Sequence, residues 1–222
     1  MKKAVFIVVL LSLAVGITAD EISFSGFVLS YMMPDLSDLS NDFSSAGLST
    51  IDDEIVTFGY GSWGGFKNVV FGLWGYGREG KYDGPDASTR MFYSGIYAEP
   101  GYFLNIYKGF GVMPGVSIGA SKIKLKLRES NLGDTDFDDL LAEPTRTSKV
   151  KYRTFTVAPT LTINIPIEFL ILSLRGGYQW SPFQGNWKLK DGANLVNPPD
   201  INISGPFASV CLMFGDVAKI NF

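Results

Sequence analysis

The chain has 222 residues, of which 46% are hydrophobic, 14% are aromatic and 18% are charged, and its formal net charge is −3. This profile is too apolar for a disordered protein, and the slightly acidic balance argues against a general nucleic-acid binder. Because histidine is absent and Cys211 is the only cysteine, an intrachain disulfide, a histidine-dependent nucleophile and the usual zinc ligands are excluded, and we expect a non-enzymatic chain without a metal or cofactor.

Residues 1–19 have the composition of a cleavable signal peptide. Lys2 and Lys3 form a positive n-region, residues 4–15 are apolar, and Ala19 is a small residue at a plausible cleavage point. Residues 20–222 are then predicted to form one domain. No segment of this domain offers about 18 consecutive apolar residues, so a closed barrel is the only way for it to span a bilayer.

Eight strands with alternating connections are predicted along the domain. Long loops are expected at 34–53, 77–90, 131–148 and 182–203, and short turns at 64–68, 105–109 and 166–167. The predicted strands are 22–31, 54–63, 69–77, 91–104, 110–128, 149–165, 168–181, and a last strand from about 205 towards 222. Short turns at one rim and long loops at the other are typical of an up-and-down transmembrane β-barrel.

The first long loop carries a helical pattern. Leu36, Leu39, Phe43 and Ala46 recur at spacings of three and four residues, and Gly47 follows. This spacing predicts a short amphipathic helix that needs an apolar surface to lie on.

Side-chain alternation is clearest in strands five and six. Apolar residues such as Val116, Ile118 and Leu161 share one face, whereas Ser117 and Thr160 lie on the other. The apolar faces span 112–120 and 155–165, which are 9 and 11 residues long, and a membrane strand needs roughly 9–11. We therefore expect apolar side chains outside the barrel and small or polar ones inside.

The layout resembles the small eight-stranded outer-membrane barrels of bacteria, the OmpA/OmpX-like group. Residues 217–222 alternate and end on Phe222, which is similar to the signal that such barrels present to their assembly machinery. The resemblance implies an integral outer-membrane protein, with both termini periplasmic, that is monomeric and contributes to envelope integrity or surface interaction. The sequence departs from those members of the group that carry a periplasmic anchor after the barrel, so we do not expect a peptidoglycan-binding role.

Basic residues continue the outward faces of strands five and six beyond the apolar stretches. If the membrane spans of this hairpin are aligned, like charges face each other across the strands, which destabilises a sheet unless an anion lies between them. The predicted pairs are Lys122 with Arg153, Lys124 with Lys151, and Lys126 with Lys149. Our hypothesis is that this ladder binds lipid phosphates, such as those of lipopolysaccharide. The alternative is a solvated ribbon neutralised by acidic residues in or next to the third long loop, namely Glu129, Asp134, Asp136 and Asp138.

The opposite face of the same ribbon is apolar and includes Ile123, Leu125, Val150 and Tyr152. A surface of this kind needs a cover. The helix of the first loop is one candidate, and another protein is the alternative.

Two charges are predicted inside the barrel at membrane depth. Glu99 shares the lumen face of its strand with Tyr93 and Tyr97, and Arg175 lies on that of strand seven. Since unpaired charges are costly there, we expect them to meet each other or a tyrosine network. A side-chain plug and an ion-conducting gate are both compatible with this pattern.

Two further patterns bear on location and ligands. The spacing of Asp134, Asp136 and Asp138 is like the start of a calcium loop, but the glycine and the bidentate glutamate that such a loop requires are missing. Six aromatic residues near strand ends are expected to form an interfacial girdle, namely Trp63, Trp74, Tyr76, Tyr102, Tyr178 and Trp180.

Three other functions remain open at this point. A narrow channel for small solutes or ions would use a continuous lumen. A lipid-modifying barrel enzyme would need a carboxylate or Ser/Lys site instead of histidine. A secreted soluble ligand-binding barrel would reverse the orientation and carry apolar side chains inside.

Overall fold

The computed structural model describes residues 22–85, 87–129, 147–183, 185–189, 193, 195 and 198–216. The predicted signal peptide, the aspartates of the third predicted long loop and Phe222 lie outside these ranges. Within them, no helix is long and apolar enough to cross a membrane.

Eight long strands close into an antiparallel barrel, as predicted. The strands are β1 (Ile22–Met32), β2 (Ile55–Phe66), β3 (Val69–Asp83), β4 (Ala87–Tyr102), β5 (Leu104–Tyr107), β6 (Phe110–Glu129), β7 (Thr147–Ile167), β8 (Leu170–Gln179), β9 (Asn186–Leu189) and β10 (Gly205–Asp216), and the helix is α1 (Ser37–Ser45). The order around the barrel is β1, β2, β3, β4, β6, β7, β8 and β10, and β10 pairs with β1. Two short strands, β5 and β9, pair with β6 and β7.

The register fixes the tilt of the strands. Following paired residues around the barrel from Asn164 on β7 leads back to β7 at Thr154, a shift of ten residues (164 − 154). Ten residues at about 3.3 Å each, over eight strands about 4.8 Å apart, give a tilt of roughly 40°. This value is typical of a closed barrel with a narrow interior.

The outer surface of the barrel is apolar, as the alternation predicts. Val116, Ile118 and Leu161 are 40%, 43% and 53% exposed, whereas Ser117 and Thr160 are buried. The orientation contradicts the alternative of a soluble barrel with an apolar interior and a polar exterior.

Three two-residue turns define one rim, which we call the turn end. Each begins with a residue in the left-handed region, namely Lys67 (φ 54°), Lys108 (φ 44°) and Glu168 (φ 54°). Turns with positive φ match the twist of antiparallel strands and are the favoured hairpin turns. The third turn was predicted at 166–167, but β7 continues to Ile167, where it pairs with Leu170, and the turn follows it.

The opposite rim, the long-loop end, is extended on one side. Four strands and β9 form a sheet that rises beyond the rest of the barrel, and we call this sheet the extension (78–83, 87–93, 122–129, 147–153 and 186–189). The sequence predicted a loop at 77–90, which is wrong, because 78–83 pairs with 88–93 in continuous register. Gly80, Gly84 and Pro85 made this hairpin look like a loop.

Helix α1 packs on the inner face of the extension at β3. The predicted helix therefore exists, and Leu36, Leu39 and Phe43 of its apolar stripe are buried. The ring of Phe43 packs against Tyr82 with centroids 5.7 Å apart.

Large aromatic rings in the lumen lie over strand glycines. A Cβ added to Gly72 would overlap the indole of Trp63, and one added to Gly61 would be 2.5 Å from the same ring. Glycine at these positions makes room for Trp63, which stacks on Phe24 at 5.8 Å.

We expect Gly72→Ala to lower the free energy of unfolding by about 1–3 kcal/mol, because the new methyl group overpacks the lumen. Urea unfolding in lipid vesicles measures this. Gly176→Ala is the matched control, since a Cβ there meets only the Phe207 carbonyl oxygen at 3.7 Å. Equal losses in the two variants would contradict the overpacking explanation.

Candidate functional site

The six predicted basic residues face each other across β6 and β7. The register pairs Lys122 with Arg153, Lys124 with Lys151, and Lys126 with Lys149. They point to the outside, opposite Ile123, Leu125, Val150 and Tyr152. The like-charged rows follow because the two strands continue the register of their membrane spans without a bulge.

Two more cations, which the sequence reasoning missed, widen this ladder. Arg90 of β4 pairs in register with Lys126, and Lys188 of β9 pairs with Lys151. Both side chains are exposed. We call the resulting surface the basic face, and it consists of Arg90, Lys122, Lys124, Lys126, Lys149, Lys151, Arg153 and Lys188.

The basic face is dense and carries little neutralisation. Four strands about 4.8 Å apart and three rows about 6.6 Å apart confine these cations to roughly 14 by 13 Å. Among the described residues, its only ion pair is at one edge, where Arg90 Nη1 lies 3.6 Å from Glu79 Oε1. Partial burial and then the neighbouring cations lower the pKa of Lys122 and of Lys124 below the usual lysine value. The central rows therefore present unfavourable charge repulsion that an anion would relieve.

Glu99 and Arg175 meet inside the barrel. Arg175 Nη2 donates to Glu99 Oε2, and the hydroxyl of Ser117 donates to the same oxygen. Both charged side chains are almost fully buried, at 1% and 3% exposure. The guanidinium carbon also lies 4.0 Å from the ring centroid of Trp74. A paired and stacked arrangement of this kind is what makes buried charge tolerable.

The two predicted tyrosines belong to a neighbouring layer. Tyr97 Oη donates to Gln179 Oε1 at 2.8 Å and lies 2.6 Å from Ser121 Oγ. Tyr76, which was not predicted here, lies 3.1 Å from the Tyr93 hydroxyl and 3.2 Å from that of Tyr97. Trp74 stacks on Tyr97 at 4.6 Å and separates this network from the Glu99–Arg175 pair. The lumen is thus filled in layers.

The long-loop end of the lumen is covered by α1 together with the segment before β10. We call these two elements the cap. The indole of Trp187 donates to the Pro199 carbonyl oxygen at 3.0 Å, and Gln179 Nε2 donates to that of Ile203 at 2.9 Å. Backbone bonds between Asp35 and Asn202 join the two parts of the cap. The described residues thus form an apolar lid above the tyrosine layer.

The expected aromatic girdle is only partly present. Tyr102, Tyr178 and Trp180 are 46%, 50% and 56% exposed on the outer surface. Trp63, Trp74 and Tyr76 are instead buried in the lumen, because alternation along β2 and β3 points them inward. Their assignment to the girdle was wrong.

No family model and no curated protein matches the chain. The fold is similar to the outer membrane protein OprG from Pseudomonas aeruginosa, with 9% identity over 89% of this chain and 97% of the other, at a TM-score of 0.49. It is also similar to Ail, the attachment invasion locus protein of Yersinia pestis, with 14% identity over 87% of this chain and 94% of the other, at a TM-score of 0.44. A second structure of Ail, in complex with the heparin analogue sucrose octasulfate, has 13% identity, covers 87% and 97% of the two chains and has a TM-score of 0.45.

The assignment of this chain rests on its own construction. Its eight strands close in register, its outer surface is apolar, and its backbone hydrogen bonds leave no open edge in the barrel wall. These are the requirements for a β-structure that spans a bilayer. The chain is accordingly a closed eight-stranded antiparallel barrel with the outer surface of a transmembrane β-barrel.

Proposed function

We propose that the protein is a non-enzymatic component of the bacterial outer membrane that supports the envelope by binding lipid phosphates on its basic face. The observation that carries this proposal is the set of like-charged cross-strand pairs on β6 and β7. Such pairs destabilise a sheet on their own. Bound phosphate would turn each repulsive row into a favourable site, since lysine and arginine are the residues that proteins use for phosphate.

The height of the basic face above the apolar belt supports a membrane lipid, rather than a soluble anion, as its ligand. Ala120 and Phe155, a register pair, are the last apolar residues on the outward faces of their strands, and Lys122 and Arg153 are two positions further towards the long-loop end. The first row therefore begins about 7 Å further along the strands, which at a tilt of roughly 40° is about 5 Å beyond the apolar belt. Lipid head groups lie at this level in a bilayer.

The orientation of the barrel selects the leaflet. We place the turn end in the periplasm and the long-loop end outside, as in bacterial barrels with short periplasmic turns. Both termini are then periplasmic, and the assembly machinery would recognise Phe222. The basic face meets the outer leaflet, where phosphorylated lipids such as lipopolysaccharide are its ligands, and the barrel acts as a monomer.

The filled lumen supports a binding and structural role over transport. Trp74, the Glu99–Arg175 pair and the tyrosine network occupy successive layers, and the cap lies above them. Eight strands leave an interior that side chains alone can fill. We infer that the lumen does not conduct.

Charge reversal tests the ligand. We expect Lys124→Glu/Lys151→Glu to reduce the lipid A that the full chain retains in neutral detergent at least fivefold, because the central row then repels phosphate. Mass spectrometry of the bound lipid measures it. Lys67→Glu/Lys108→Glu makes the same charge change at the turn end and should retain as much as the wild type. Equal retention by the two double variants would refute the proposal.

A further inference from the structure

Among the side chains that the structure describes, the acids near the basic face lie at one edge of the outward surface. On β3, Glu79 pairs with Arg90, and Asp83 pairs with Lys81 at 2.7 Å, which lowers the pKa of that carboxyl. The rows on β6, β7 and β9 have no acid opposite them in the described register. The surplus positive charge is therefore greatest at the centre of the sheet.

Other exposed acids lie in the segment before β2, namely Asp35, Asp38, Asp42, Asp52, Asp53 and Glu54. In this segment, Phe43 of α1 packs on Tyr82, which lies on the inner face of the extension. The basic face lies on the outer side of the same sheet, so these acids are separated from it by the thickness of the sheet and cannot neutralise it.

The negative charge of a lipid phosphate at such a surface can be balanced either by divalent metal ions or by the cationic side chains of the protein. Mg²⁺ and Ca²⁺ bind phosphate oxygens directly, and they bridge neighbouring phosphates in this way. Ammonium and guanidinium groups donate hydrogen bonds to the same oxygens. When a polycation neutralises several phosphates together, the counterions previously held there are released, as happens when proteins bind nucleic-acid phosphates. The two modes therefore compete for one set of oxygens.

We propose that the basic face replaces divalent cations as the counter-charge of membrane-lipid phosphates, so that the protein binds these lipids more tightly when Mg²⁺ is removed. The inference rests on the proposed function and adds that divalent cations weaken the binding of lipid. Within each row, cations on neighbouring strands are about 4.8 Å apart, so a phosphate bound between β6 and β7 would meet at least two of them. Two cations leave no charge deficit for a metal ion to fill. The protein then anchors lipid where divalent cross-bridges between lipid molecules are lost.

The test measures lipid A retained by the full chain in neutral-detergent micelles, with lipid A dilute enough that lipid molecules do not bridge one another. We expect the wild type to retain several-fold more lipid A in EDTA than in millimolar Mg²⁺. Lys67→Glu/Lys108→Glu should behave in the same way. Lys124→Glu/Lys151→Glu should show the opposite dependence, because an acidified row needs a bridging metal to hold phosphate.

The outcomes separate this inference from the function on which it rests. If the wild type loses lipid A in EDTA yet still exceeds Lys124→Glu/Lys151→Glu in Mg²⁺, the replacement of divalent cations is refuted and phosphate binding stands. If the wild type and Lys124→Glu/Lys151→Glu retain the same amount of lipid A both in EDTA and in Mg²⁺, phosphate binding and the replacement of divalent cations are both refuted. If charge reversal prevents folding, the neutral variant Lys124→Gln/Lys151→Gln provides the same comparison. It should retain less lipid A than the wild type, and still more in EDTA than in Mg²⁺.

Discussion

Replacing Arg175 with methionine should lower the free energy of unfolding by about 3–5 kcal/mol, because the carboxylate of Glu99 is left buried without its counter-charge. Glu99 is 1% exposed, and Arg175 Nη2 donates to its Oε2. The hydroxyl of Ser117 remains as a donor to that oxygen, but a neutral hydrogen bond does not balance a full charge in the lumen. Urea unfolding of the reconstituted barrel in lipid vesicles measures the loss.

The double variant Glu99→Leu/Arg175→Met tests the cause. Removing both charges should cost much less than removing one, because an apolar pair of similar size often replaces a buried ion pair with little loss. Arg175→Lys should fall between them, since an ammonium group cannot stack as a plane on Trp74, which lies 4.0 Å from the guanidinium carbon. Equal losses in Arg175→Met and in the double variant would show that packing, not charge, holds this layer together.

The parts of the fold that follow from a period of two residues could be predicted from the sequence. Alternation placed Val116 outside and Ser117 inside, and it placed Glu99 and Arg175 on the lumen faces of their strands. The register of Lys124 opposite Lys151 followed from aligning two apolar stretches of similar length. These inferences succeed because a barrel wall has one apolar and one polar side, so a slip by one residue would reverse every side chain.

The limits of the sequence appear where alternation is ambiguous. In β3, Trp74 and Tyr76 alternate with Gly75. Because glycine and amphipathic rings occur on both faces of a barrel wall, this pattern does not indicate which face contacts lipid. The same composition made 78–83 read as a loop, so that Arg90 was not assigned to a strand beside Lys126. Lys188 joins the basic face through a four-residue strand inside a predicted loop. Long-range pairing, which local spacing does not encode, decides all three cases.

The wild-type barrel should show no discrete conductance in planar bilayers, because two barriers lie in series. The first is the layered plug, in which Trp74 stacks on Tyr97 at 4.6 Å beside the Glu99–Arg175 pair. The second is the cap, which buries Leu39 and Phe43 of α1. Current must pass both, so opening either one alone leaves the path closed.

This series arrangement gives a non-additive expectation. Leu39→Asp/Phe43→Asp, which destabilises the cap, and Trp74→Ala/Tyr97→Ala, which removes the two stacked rings from the plug, should each remain silent, whereas the fourfold variant should open in discrete steps. Single-channel recording at fixed voltage distinguishes them, and resistance of the folded barrel to unfolding in detergent controls for loss of structure. Wild-type conductance that changes in Glu99→Gln would instead make the buried pair a gate, because only an ion path through the lumen would respond to the loss of that one charge.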